Sequence, residues 1–130
     1  MMKLNPDCIR DILISVEEAT DGVNLFQYDI QEVTYKRMKK YEHNEIIYHI
    51  RQCKMADLIV GCQEFDAGDL VWIQDLSPKG HEFLANIRQD TIWNNTKEVA
   101  AKVGSKSLNT LLQISTSIIT QLIKAQFGLT

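Results

Sequence analysis

The fold is decided by residues 44–76, NEIIYHIRQCKMADLIVGCQEFDAGDLVWIQDL. In its first part Ile46, Ile47, Ile50 and Cys53 recur at helical spacing, which predicts a helix over 44–56 with that stripe buried. Two β-rich runs follow, 58–65 and 70–76. Between them Asp66-Ala67-Gly68-Asp69 is turn chemistry, so the two runs read as a hairpin. A helix that leads directly into a β-hairpin is the core of the reading.

Upstream, Asn5-Pro6-Asp7 is a helix start. Asparagine caps, proline suits the first helical position, and aspartate complements the helix dipole. Ile9, Ile12, Leu13 and Val16 then face inward, with Arg10, Asp11, Glu17 and Glu18 on the other side, and Asp21-Gly22 ends the helix. Residues 23–26 read as a short strand and 31–40 as a short helix. Downstream, Ser77-Pro78 starts another helix by the same logic, with Phe83, Leu84 and Ile87 inward.

The resulting order is helix, short strand, helix, helix, hairpin, helix. That is the order of a winged helix-turn-helix, with 44–56 as recognition helix and the hairpin as wing. The expected fold is α+β and mostly α, with a winged-helix domain at 1–90 and a helical extension at 91–130. In the extension Ile92, Thr96, Val99 and Val103 continue about half a turn away from the preceding apolar face. Either the helix breaks near Asp90, or one long helix buries two different faces. Gly104 stops it, and Ser107 caps a last helix. That helix carries a wide stripe of Leu108, Leu111, Leu112, Ser115, Ile118, Ile119, Leu122 and Ile123.

The totals bound the class. The chain has 130 residues, 45% hydrophobic and 24% charged, which suits one globular domain without staples. Its net charge of −3 excludes a global basic field. Cys8, Cys53 and Cys62 are an odd count with no CxxC, which reads as free thiols and a cytoplasmic setting. The N-terminus has no apolar run behind a positive charge, so no signal peptide is expected. The uncharged stretch 107–123 has nine polar residues in seventeen, which argues against a membrane span.

Three blocks carry a family resemblance. They are Met2-Lys3-Leu4-Asn5-Pro6-Asp7-Cys8-Ile9-Arg10, then Glu45-Ile46-Ile47-Tyr48-His49-Ile50-Arg51-Gln52 with Leu58-Ile59, and Asp75-Leu76-Ser77-Pro78-Lys79-Gly80-His81-Glu82-Phe83-Leu84 followed by Trp93-Asn94 and Thr96-Lys97. Together they resemble an uncharacterised family of small Gram-positive bacterial and prophage proteins, domain of unknown function 2513. The resemblance implies a winged-helix relation and a mobile-element setting, and it implies no activity.

With the apolar stripe inward, the other face of 44–56 presents Asn44, Tyr48, Arg51, Gln52 and Met55. Asparagine, arginine and glutamine pair bidentately with purine edges, and Lys36, Arg37, Lys39 and Lys40 just upstream suit phosphates. These eight residues, Met55 aside, are the candidate contacts to double-stranded DNA. The alternative is a solvated helix face beside a lysine-rich loop. The hairpin argues against DNA: residues 57–75 hold five acids (Asp57, Glu64, Asp66, Asp69, Asp75) and no lysine or arginine.

His49 and Cys53, one turn apart, have metal-ligand spacing, with Cys62 and His81 as conceivable partners. The spacings match no known finger, and a core thiol beside a hydrogen-bonded histidine accounts for them, so no metal is expected. Asp66 and Asp69 around Gly68 are turn chemistry, not a calcium loop. There is no nucleophile elbow, phosphate loop or carboxylate pair in an evident cleft, so neither an enzyme nor a cofactor is expected. Trp93 and the last helix (Leu108, Leu111, Leu112, Ser115, Ile118, Ile119, Leu122) are the candidate dimer or partner interface. The expected function is a DNA-binding regulator. The alternative is a protein-interaction module using the acidic wing and the last helix.

Overall fold

A computed structural model describes residues 1–105 and 107–128. The chain is α+β and mostly helical, and it divides into two compact units, Met1–His81 and Glu82–Thr130. The division falls inside a helix, nine residues before the expected boundary at 90.

The first unit opens with α1, Pro6–Ala19. Asn5 caps it by accepting the Asp7 N–H at 3.1 Å, and Cys8, Ile9, Ile12, Leu13 and Val16 are fully buried. Strand β1 is Phe26–Asp29, not 23–26. The displacement has a local cause: Asp21 accepts the N–H groups of Val23 and Asn24 at 3.0 and 2.7 Å, and this turn occupies the backbone that a strand would use. Val23 is left 87% exposed.

The short helix expected over 31–40 shrinks to one 3₁₀ turn, Lys36–Met38. Met38 is the apolar anchor there, and a single buried residue cannot sustain a longer amphipathic stripe. Tyr35 also draws the chain back to β1, stacking on Phe26 at 4.5 Å and accepting the Gln27 N–H at 2.7 Å.

Helix α2, His43–Met55, buries Ile46, Ile47, His49, Ile50 and Cys53. The two hairpin arms follow, each in two pieces: β2 (Ile59–Val60) and β3 (Gln63–Phe65), then β4 (Leu70–Ile73) and β5 (Asp75–Leu76). Register is the same on both sides of the interruption, Val60 opposite Asp75 and Gln63 opposite Trp72, so this is one kinked hairpin. The kink is at Gly61, φ +64°, where the side chain of Gln74 occupies the space a Cβ would need. Antiparallel pairing of β1 with β4 completes a three-stranded sheet of order β1-β4-β3.

Helix α3, Pro78–Ile87, begins where Ser77 accepts the Gly80 N–H at 2.9 Å. Phe83, Leu84 and Ile87 are buried as expected. The helix then breaks before Asp90, one of the two outcomes that the change of apolar face allows. In the second unit α4, Asp90–Val103, packs against α5, Leu108–Gln126.

The buried face of α4 is Trp93, Thr96 and Ala100; of the expected stripe Thr96 is buried, while Ile92 and Val99 are only half-buried. The stripe turns about Thr96, because the bulky indole of Trp93 is buried in place of Ile92 and small Ala100, about two turns later, in place of Val99. Val103 is 62% exposed. Gly104, φ +73°, ends α4, and Ser107 caps α5 by accepting the Thr110 N–H at 3.1 Å.

Gly80 gives the third block of the resemblance a physical reason. A Cβ there would lie 2.0 Å from the Leu58 carbonyl oxygen and 2.9 Å from its carbon. Both are backbone atoms that the hairpin fixes, since Ser77 donates its N–H to the same oxygen at 3.0 Å. Gly80→Ala is expected to destabilise the protein by about 1–3 kcal/mol, as overpacking does, despite the higher helix propensity of alanine. Chemical denaturation checks it: a midpoint equal to or above wild type would contradict the contact.

Candidate nucleic-acid interface

Helix α2 presents the candidate reading face. Asn44, Arg51 and Met55 are exposed, and Tyr48 and Gln52 are half-buried. Its inner side is fixed by His49, which has no exposed surface. The His49 Nε2 accepts the backbone N–H of Asn5 at 2.7 Å, and its Nδ1 lies 2.7 Å from the Glu45 carbonyl oxygen. An acceptor at one nitrogen and a donor at the other describe a neutral imidazole protonated on Nδ1. His49 is thus a satisfied core histidine that ties the start of α1 to α2. Among the described residues no three His, Cys, Asp or Glu side chains form a group that could hold a metal ion. Cys8 and Cys53 are buried beside it as free thiols, and burial pushes Cys8 up to about 12.

The outer side of α2 meets the hairpin. Arg51 Nε donates to Glu64 Oε1 and Oε2 at 3.2 and 3.1 Å, and Nη2 donates to Oε1 at 2.7 Å. The Arg51 guanidinium holds the Glu64 carboxyl below the usual carboxylate range. The hairpin turn sits against this pair: a Cβ on Gly68, φ +96°, would meet Ile47 at 3.2 Å and Arg51 Nη2 and Glu64 Oε1 at 3.5 Å. A second link starts one residue later. Asp69 lies 3.3 Å from His43 Nε2, and His43 Nδ1 lies 2.8 Å from the Tyr28 hydroxyl.

The acids of the hairpin therefore have internal work. Glu64 holds Arg51, Asp69 holds His43, and Asp75 lies 3.5 Å from His81 while accepting the Leu76 N–H at 2.7 Å. Asp57 and Asp66 occupy left-handed turn positions, φ +64° and +52°, which aspartate tolerates better than most residues. Both links join residues far apart in sequence, which local patterns do not reveal. Strand alternation holds the signal for Glu64: it shares a sheet row with buried Val71 and Tyr28, so it points inward.

The basic turn lies elsewhere, against α1. Lys36, Arg37, Lys39 and Lys40 are all exposed. Arg37 pairs with Glu18 at 3.2 Å and Lys40 with Asp11 at 2.9 Å. Asp11 is nearly buried and also accepts the Tyr41 hydroxyl at 2.6 Å; burial and that hydrogen bond raise the phenol well above its usual value. Lys36, Arg37 and Lys40 line one surface cavity of about 560 Å³ with Ser15, Glu18, Thr34 and Tyr35. The candidate residues thus form two groups, a reading face held by the hairpin and a basic turn held by α1.

The candidate partner helix also divides. Trp93, Leu108, Leu111 and Ser115 are buried within the chain, and Leu112, Ile118 and Ile119 are half-buried. Leu122, Ile123 and Phe127 are 48%, 53% and 75% exposed. No helix of the described residues is long and apolar enough to cross a membrane.

A family model described as "Hypothetical protein (DUF2513)" matches residues 3–106. An uncharacterized protein of Haemophilus influenzae is 28% identical over 124 residues, covering 94% of this chain and 99% of that protein. No solved structure matches the chain. The family match takes in all three blocks of the resemblance, from Met2-Lys3 on but for Met2 itself, and with most of the chain covered, this protein belongs to the DUF2513 family of hypothetical proteins.

Proposed function

We propose that this chain is a non-enzymatic DNA-binding protein, a winged-helix regulator in which α2 is the recognition helix and the hairpin is the wing. One observation carries the reading. Helix α2 runs straight into a hairpin whose sheet order is β1-β4-β3, and its outer face of Asn44, Tyr48, Arg51 and Gln52 is open or half-open to solvent. Amide and guanidinium groups on such a face are the chemistry of major-groove readout. The free thiols support a cytoplasmic setting, and the family resemblance suggests a prophage or mobile-element role.

The ion pairs decide which cations serve phosphates. Lys36 and Lys39 form no ion pair among the described residues. Arg37 and Glu18 are both largely exposed, and such a pair is worth about 0–1 kcal/mol, so a phosphate replaces Glu18 at little cost. Lys40 differs, because its partner Asp11 is only 10% exposed, and withdrawing the ammonium would leave a buried carboxylate held by Tyr41. Lys36, Arg37 and Lys39 are therefore the phosphate contacts, and Lys40 stays with α1.

A second reading rests on α5. Every residue from 121 to 128 is exposed, and Leu122, Ile123 and Phe127 form an apolar strip there that half-buried Ile118 and Ile119 extend. Within α5 Lys124 is the one charged residue, so little charge opposes the pairing of two copies along this strip. A dimer formed this way would give two recognition helices to adjacent half-sites.

Titration of the chain with mixed-sequence duplex DNA tests the first reading. Binding is expected at low salt, with a slope of log Kobs on log[salt] near −3 for about three phosphate contacts, falling in magnitude by about 1 in Lys36→Ala. Absence of binding at low salt would remove it. Solution mass tests the second: a dimer at micromolar concentration, converted to monomer by Leu122→Glu with helicity unchanged, is expected. A monomeric wild type would contradict it.

A further inference from the structure

We propose that Glu64 sets the specificity of DNA reading by fixing the Arg51 guanidinium as a reader of one guanine, a role that rests on the DNA-binding assignment above. Arginine has five N–H donors in a planar fork. Glu64 occupies the side of that fork formed by Nε and Nη2, at 3.1 and 2.7 Å. What remains is the end formed by Nη1 and the second Nη2 hydrogen, a parallel donor pair. Such a pair matches the O6 and N7 acceptors that guanine shows in the major groove.

The surroundings fit a positioned arginine. The Arg51 side chain is 49% exposed, so its free end reaches solvent, while Glu64 is 23% exposed and tucked toward the sheet's inner row. Gly68, in the left-handed region at φ +96°, closes the hairpin turn against both groups, where a Cβ would touch each at 3.5 Å and press on Ile47 at 3.2 Å. A long side chain on an open helix face ordinarily samples many rotamers, and ordering them on binding opposes affinity. Glu64 orders Arg51 beforehand. It also cancels the arginine's charge, so Arg51 adds little to non-specific attraction for phosphates and more to discrimination between bases. The acidic residue that made the wing look repulsive becomes part of the reading apparatus.

Selection from a random duplex library, using the purified full chain, tests this. Wild type is expected to enrich a motif with one strongly preferred guanine. Glu64→Gln is expected to bind duplex DNA as tightly or more tightly at low salt, with a salt slope larger in magnitude, while preference at that guanine falls about tenfold. Arg51→Lys keeps the charge and loses the fork, and it is expected to lose the same guanine preference with DNA affinity largely retained. Thermal melting verifies folding, and Glu64→Asp, which keeps the charge but shortens the carboxylate's reach to Arg51, is expected to lose the same preference and carries the test if Glu64→Gln does not fold. An unchanged motif in a folded Glu64 variant would overturn the role of Glu64 alone, and an unchanged motif in Arg51→Lys would remove Arg51 as a reader and this role with it. No enrichment and no binding by wild type would remove the DNA assignment and this role with it.

Discussion

A single buried imidazole connects the first helix to the helix that offers the candidate interface. His49 receives the Asn5 N–H on one nitrogen and faces the Glu45 carbonyl with the other. Asn5 in turn caps α1 with its side chain. One residue thus aligns the start of α1 with the middle of α2. A buried polar group of this kind stabilises only while both its hydrogen bonds are made, and losing one leaves an unsatisfied group costing about 1–3 kcal/mol. The tie therefore specifies one arrangement of the two helices.

With the inner side of α2 anchored, its outer side is shaped by the hairpin. Arg51–Glu64 and His43–Asp69 join residues on α2 to residues on β3 and the turn. Each pair is partly exposed and contributes modestly to stability. Their effect is on direction: they settle which donors of α2 are spent inside the chain and which remain open to solvent. The same logic operates at the basic turn, where nearly buried Asp11 retains Lys40 while exposed Glu18 holds Arg37 loosely. Burial of the carboxylate, more than the separation of the charges, distinguishes the two pairs.

What the sequence made legible was local. The Asn5-Pro6 start, the α2 stripe, the Asp66–Asp69 turn and the Ser107 cap are signals a few residues long, and each appears in the structure. The misplaced elements were set by longer-range contacts. Residues 31–40 lost their helix to Tyr35, which the sheet recruits, and the α4 stripe shifted to accommodate Trp93. The candidate site was legible as a set of exposed side chains on α2. Its organisation was not, because Arg51 meets Glu64 thirteen residues on and His49 meets Asn5 forty-four residues back. A count of charges along the hairpin does not distinguish inward from outward acids, and the β1-β4-β3 register turns Glu64 inward.

If this chain binds DNA as proposed, α2 and the turn before it face the duplex. The most direct measurement is an amide-resolved NMR titration of the full chain with a mixed-sequence duplex. Shifts are expected to concentrate at Asn44, Tyr48, Arg51 and Gln52 and at Lys36, Arg37 and Lys39, diminishing as salt is raised. Shifts confined to α5, or none at low salt, would contradict it.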